Sequence, residues 1–188
     1  MEHVIKNGTR LFFDTIKDAI DTFLRSNKTP IKAYVAEGMA LFGLGKYDES
    51  LAALAEGLSA VPSDQQLLKT IIEVALKSPL KSEFVENLSR LEESNLANNA
   101  FVICSLIGQD LHRVEHHQAA IDVLESALEI DTTSPKLRGS VLACLGSAYW
   151  AVGERESACK NMKEELVLCR ENSDIEGEVR APVSATLQ

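Results

Sequence analysis

Three histidines, His112, His116 and His117, fall within six consecutive positions, and His112 and His116 have the i, i+4 spacing that puts two imidazoles on one helix face. A pair of that kind can hold a transition metal when further donors converge on it, and the one anionic side chain beside it is Glu115. No HExxH order surrounds the three, and His116-His117 lies at a turn between helices, where an imidazole can replace an aromatic ring. The pattern therefore reads as structural, and no metal is expected. The four cysteines, Cys104, Cys144, Cys159 and Cys169, interrupt apolar helical patterns and form no CxxC pair. Ten residues of helix would separate Cys159 from Cys169 by ~15 Å, far beyond disulfide reach. They read as buried thiols of a reducing compartment.

Other chemistry is missing from the chain. It contains no GxSxG and no glycine-rich phosphate loop, and no Cys-His pair is placed to meet across an apolar wall. The acidic doublets Glu92-Glu93 and Glu164-Glu165 are adjacent, so on a helix their side chains point about 100° apart and form solvated faces. The expectation is a protein that is not an enzyme and carries no cofactor.

What remains is the scaffold itself. The 188 residues are 45% apolar, enough to bury a continuous core, and five prolines, ten glycines and 5% aromatics favour helices over a many-turned sheet. The expected class is all-α. A formal charge of -9 repels a phosphate backbone, and Lys and Arg are scattered, so nucleic acid is excluded as a partner and a basic or amphipathic protein segment is favoured. No apolar run approaches the ~20 residues that cross a bilayer, and Met1 to Arg10 has no signal-peptide core, so the reading is a cytosolic protein with no membrane partner.

Self-similarity organises the chain. The stretch 31–64 gives a helix through Leu44, a turn at Gly45-Lys46 and a second helix ending at Val61-Pro62; the stretch 101–134 gives another such unit. Laid over each other, Gly108 falls on Gly38, Leu111 on Leu41, His117 on Tyr47, Ala120 on Ser50, Leu124 on Leu54 and Leu128 on Leu58. A third unit over 135–174 carries Leu145-Gly146, Tyr149-Trp150, Gly153, Ala158 and Leu166 at the matching places. Gly38 and Gly108 are 70 residues apart, two repeat lengths, so a degenerate helix pair is expected over 65–100, broken at Ser78-Pro79. Small residues at Gly38, Gly108 and Gly146, facing Ala120, Ala158, Gly57 and Ala127, let antiparallel helices approach within ~8–10 Å. Leu54, Leu124 and Met162 are expected to fill the space between successive units, which must stack to bury their apolar faces. Residues 1–30 read as a capping helix over Thr9–Leu24 followed by a turn; 175–188 read as a next helix cut short at Pro182 and a frayed tail.

The pattern of Leu145-Gly146, Tyr149, Gly153 and Ala158, repeated in register over about three quarters of the chain, resembles the tetratricopeptide repeat family. The resemblance implies a right-handed α-α superhelix that binds protein segments in its concave groove. A narrower resemblance, to one very long member, rests on Lys32-Ala33-Tyr34 with Leu51-Ala52-Ala53-Leu54, on Leu76-Lys77-Ser78-Pro79, and on Leu137-Arg138-Gly139-Ser140-Val141 leading to Ser147-Ala148-Tyr149-Trp150. It implies an interaction scaffold of the mitotic spindle midzone and midbody, here in a short or partial version, since Pro182 precedes the small residue of a further helix due near position 186. The family also includes co-chaperone domains that clamp the C-terminal carboxylate of heat-shock chaperones. Lys32 matches one clamp lysine, but Ala36 stands where the clamp arginine would follow.

By repeat register, the first helices present Lys32, Val35, Met39 and Phe42, then Ser105, Gln109, His112 and Arg113, then Ala143, Ser147 and Trp150 to the groove. Met39, Phe42 and Trp150 would anchor a peptide there, while core packing between repeats is the alternative for Phe42 and Trp150. The open edge of the last unit offers a further route, self-association with a second copy.

Overall fold

The computed structural model describes residues 30–171; the expected capping helix over Thr9–Leu24 and the expected cut-short helix over 175–188 lie outside the described residues. Every described element is a helix: α1 Pro30–Gly43, α2 Tyr47–Ala60, α3 Gln65–Lys77, α4 Lys81–Glu93, α5 Ala100–Arg113, α6 His117–Glu129, α7 Pro135–Ala151 and α8 Arg155–Glu171. The fold is the expected all-α repeat solenoid.

Local sequence sets the boundaries. The side chains of Asp64, Asn99 and Ser134 accept from the backbone N–H of Leu67, Val102 and Leu137, so α3, α5 and α7 each begin on a side-chain cap. Pro135 follows at the start of α7, where its missing N–H is harmless. The turns α1–α2 and α7–α8 pass through left-handed backbone at Gly45 and Gly153, with φ of 78° and 86°. The α5–α6 turn does the same at Glu115, with φ of 67°, a conformation that is strained for a residue with a Cβ.

Within each recognisable unit the two helices close on a glycine. A Cβ on Gly38 would lie 2.5 Å from Leu54 Cγ, one on Gly108 would lie 2.5 Å from Leu124 Cγ, and one on Gly146 would lie 3.0 Å from Met162 Cγ. The three large side chains thus sit over the glycine of their own unit, which corrects the expectation that they fill the gap to the next one. The reason is the absent side chain itself: it opens a hole in the first helix, and the side chain opposite fills it. Ser50 is buried in the same contact and donates its hydroxyl to the Gly38 carbonyl at 2.6 Å.

Between units, α3 packs on α2 and α1, as consecutive repeats require, and α7 packs on α6 and α5. The degenerate pair does not, however, keep units 31–64 and 101–134 apart, because α2 packs directly against α6. Their N-terminal ends meet at Tyr47, Asp48 and His116, and at the other end Tyr34 on α1 lies within the field of both Glu56 on α2 and Glu129 on α6. The two second helices therefore run side by side in the same direction. The physical cause lies in α4, whose side chains are largely polar and of which only Phe84 is buried. It cannot cover the apolar face of α6, and α2 does so instead. One contiguous core results, running from Leu51, Leu54 and Leu58 through Ile71, Phe84, Phe101 and Ile107 to Val123, Leu124, Val141 and Ala148.

Candidate protein-binding face and the histidine corner

The groove positions read from the sequence divide into three kinds. Lys32, Arg113 and Ser147 are exposed, as are Met39 at 42% and Trp150 at 37%. Val35 and Phe42 are half-buried and lean on the core, so they present only part of their surface. Ser105 is buried and donates its hydroxyl to the Phe101 carbonyl at 2.6 Å, which leaves it no free hydrogen for a ligand. Gln109, His112 and Ala143 are half-buried. Trp150 stands outside the core with the Arg155 guanidinium 5.7 Å from its ring centroid, a cation–π contact across the α7–α8 turn.

Arg113 is tied to its surroundings. It pairs with Glu83 on α4 and lies 3.1 Å from the carboxylate of Asp110 on its own helix. Asp110 is 2% exposed, and among the described residues neither of its oxygens accepts a hydrogen bond. Loss of water pushes its carboxyl up to about 6. The thiols of Cys104 and Cys144 are pushed up to about 12 and about 11 by burial, so both are protonated packing groups at neutral pH.

The histidines do not form the i, i+4 pair that their spacing suggests. His116 turns to α2: its Nδ1 is 3.0 Å from Asp48 Oδ2 and its Nε2 is 2.5 Å from the Tyr47 hydroxyl. A carboxylate only accepts, so Nδ1–H donates to Asp48, and Nε2 shares a hydrogen bond with the Tyr47 hydroxyl. Burial, and after it the Asp48 charge, raises the Tyr47 hydroxyl above its ordinary value and keeps it a donor. His112 meets His117 instead, five residues on, with Nδ1 atoms 3.0 Å apart and ring centroids at 4.9 Å. Burial first, and the neighbouring His117 second, hold the His112 imidazole below its ordinary pKa, so it is neutral at physiological pH. The alignment of His117 with Tyr47 had placed an imidazole at this turn; nothing local in the sequence points from His116 to a partner 68 positions away.

Antiparallel helix pairs closed on a glycine and stacked in series define a helical-repeat protein. The tetratricopeptide repeat family profile matches residues 31–64, the first complete helix pair. Tetratricopeptide repeat protein 28 of Homo sapiens is 41% identical over 166 residues, covering 88% of this chain, and its counterpart in Mus musculus is 39% identical over 173 residues, covering 92%. The chain belongs to the tetratricopeptide repeat family. It spans 7% of the length of either of these relatives. Among solved structures, MamA MSR-1 C2 overlaps with a TM-score of 0.36 at 18% identity, covering 87% of this chain and 92% of that one. Pseudomonas aeruginosa pilF overlaps with a TM-score of 0.38 at 18% identity, covering 82% and 72%. Among the described residues, no helix is long and apolar enough to cross a membrane.

Proposed function

We propose that this chain is a non-catalytic interaction scaffold that holds an apolar segment of a partner protein against its first helices, with Met39 and Trp150 as anchors. The observation that carries the reading is the exposure of these two large side chains, 42% and 37%, at groove positions of α1 and α7. Burying such a side chain against a partner contributes roughly 1.5–3 kcal/mol, and a few anchors of this kind dominate a typical interface. Lys32, Gln109, Arg113 and Ser147 form the polar surround, and the formal charge of -9 favours a segment with basic residues beside its apolar ones. We extend the proposal to dividing cells, at the spindle midzone and midbody, which is what the sequence resemblance to the very long family member implies.

The test is quantitative affinity purification from dividing cells with the full chain and with a Met39→Ala/Trp150→Ala variant of equal helicity as baits. Proteins held in the groove fall at least about tenfold in the variant, as the loss of two anchors requires. If every captured protein stays at its original level, the groove is not the binding site. A tagged chain that is excluded from the midzone in anaphase would overturn the proposed location while leaving the groove intact.

A further inference from the structure

The geometry of the α5–α6 corner points to a two-histidine site for a divalent metal of the nickel or copper type, in which Nδ1 of His112 and Nδ1 of His117 occupy two neighbouring coordination positions. His112 lies in the last turn of α5 and His117 begins α6, so the short turn between the helices brings both rings together. Their Nδ1 atoms are 3.0 Å apart. With metal–nitrogen bonds of about 2.0–2.1 Å, donors at that separation subtend roughly 91–97° at the ion. Tetrahedral zinc wants about 109°, which needs the nitrogens ~3.4 Å apart, whereas the tetragonal and octahedral arrangements of Cu(II) and Ni(II) want 90° between neighbours. The observed separation lies nearer to that of neighbouring tetragonal or octahedral positions than to the tetrahedral one. Imidazole nitrogen suits both metals. Without metal, one imidazole donates its Nδ1–H to the other; on binding, the donor ring carries that proton on Nε2 instead, so both neutral rings ligate through Nδ1 and no net proton is released.

His116 is not part of this site, because both of its nitrogens are engaged by Asp48 and Tyr47. Among the described residues no group of three or more His, Cys, Asp or Glu side chains gathers to hold a metal ion, so water completes the coordination and the ion exchanges readily. A substitution that spares the fold is built into the repeat: Tyr47 stands in unit 31–64 where His117 stands in unit 101–134, so His117→Tyr keeps a ring at this position and removes the ligand.

The probe is Ni(II) chloride, since Cu(II) would oxidise thiols, titrated into the full chain carrying His3→Ala so that His112, His116 and His117 are the only imidazoles. Calorimetry is expected to show one equivalent bound, and imidazole NMR to show paramagnetic broadening at both His112 and His117. His112→Ala and His117→Tyr are expected each to weaken Ni(II) at least tenfold, and His116→Ala to change it less than twofold. Circular dichroism checks that each variant is folded. Binding that is unchanged in His117→Tyr, or lost only in His116→Ala, would overturn the assignment, as would the absence of a saturable equivalent in the parent.

Discussion

His116 Nε2 lies 2.5 Å from the Tyr47 hydroxyl, a bond between residues 69 positions apart that joins the start of α6 to the start of α2. The same ring reaches Asp48, so the two second helices are pinned where their N-terminal ends meet. A half-buried hydrogen bond contributes about 1 kcal/mol and one to a charged group about 1.5–3 kcal/mol. Tyr47→Phe is therefore expected to lower stability by about 1 kcal/mol, and His116→Ala by about 2–3 kcal/mol, in urea unfolding. A double-mutant cycle with no coupling between the two sites would show that the contact stabilises nothing.

Gly38 and Gly108 have the same role in two units, each admitting a leucine that a Cβ would meet at 2.5 Å. The atom met is the branch carbon of the leucine, which cannot swing away without leaving the core. Gly38→Ala and Gly108→Ala should each destabilise by about 1–3 kcal/mol. Gly43, the last residue of α1, has open space around its missing Cβ and no positive φ. Gly43→Ala should raise stability by up to about 1 kcal/mol. Opposite signs in thermal unfolding are the check.

Glu115 occupies the turn position that glycine fills in the other two recognisable units. Its left-handed backbone costs about 1 kcal/mol relative to glycine, less what glycine loses in chain entropy. Glu115→Gly is expected to raise stability by up to about 0.6 kcal/mol without altering helicity. A lowered melting temperature would mean that the Glu115 side chain contributes more than its backbone strain removes.

Asp110 makes stability depend on pH in a direction opposite to a paired carboxylate. Its folded value, about 6, lies above the ordinary 3.8, so the folded state prefers the protonated form. The penalty is absent below the ordinary value, grows as pH rises towards about 6, and is complete above that, with the Arg113 guanidinium 3.1 Å away offsetting part of it. Asp110→Ala should accordingly gain over the parent as pH rises from 4 to 7.5. Melting curves that keep a constant gap across that range would show that Asp110 is solvated or paired more strongly than its burial indicates.

The sequence by itself determined the all-α repeat class. Gly38, Gly108 and Gly146 recur because close helix approach tolerates no side chain, and Asp64, Asn99 and Ser134 mark helix starts because capping is local chemistry. Both signals act over a few residues, but only the glycine spacing enters the sequence expectations; the caps emerge from the structure. Whether the positions read as groove residues bind anything is not written in that pattern: Met39 and Trp150 came out exposed, but Ser105 of the same register is buried. Only the tertiary structure decided that α2 lies against α6, that His116 reaches Tyr47 and Asp48, that His112 faces His117, and that Asp110 loses its water. Each of these depends on how one helix pair is turned against another. That turn is set by the summed apolar area available on every face, here by the shortage on α4, and no single residue encodes it.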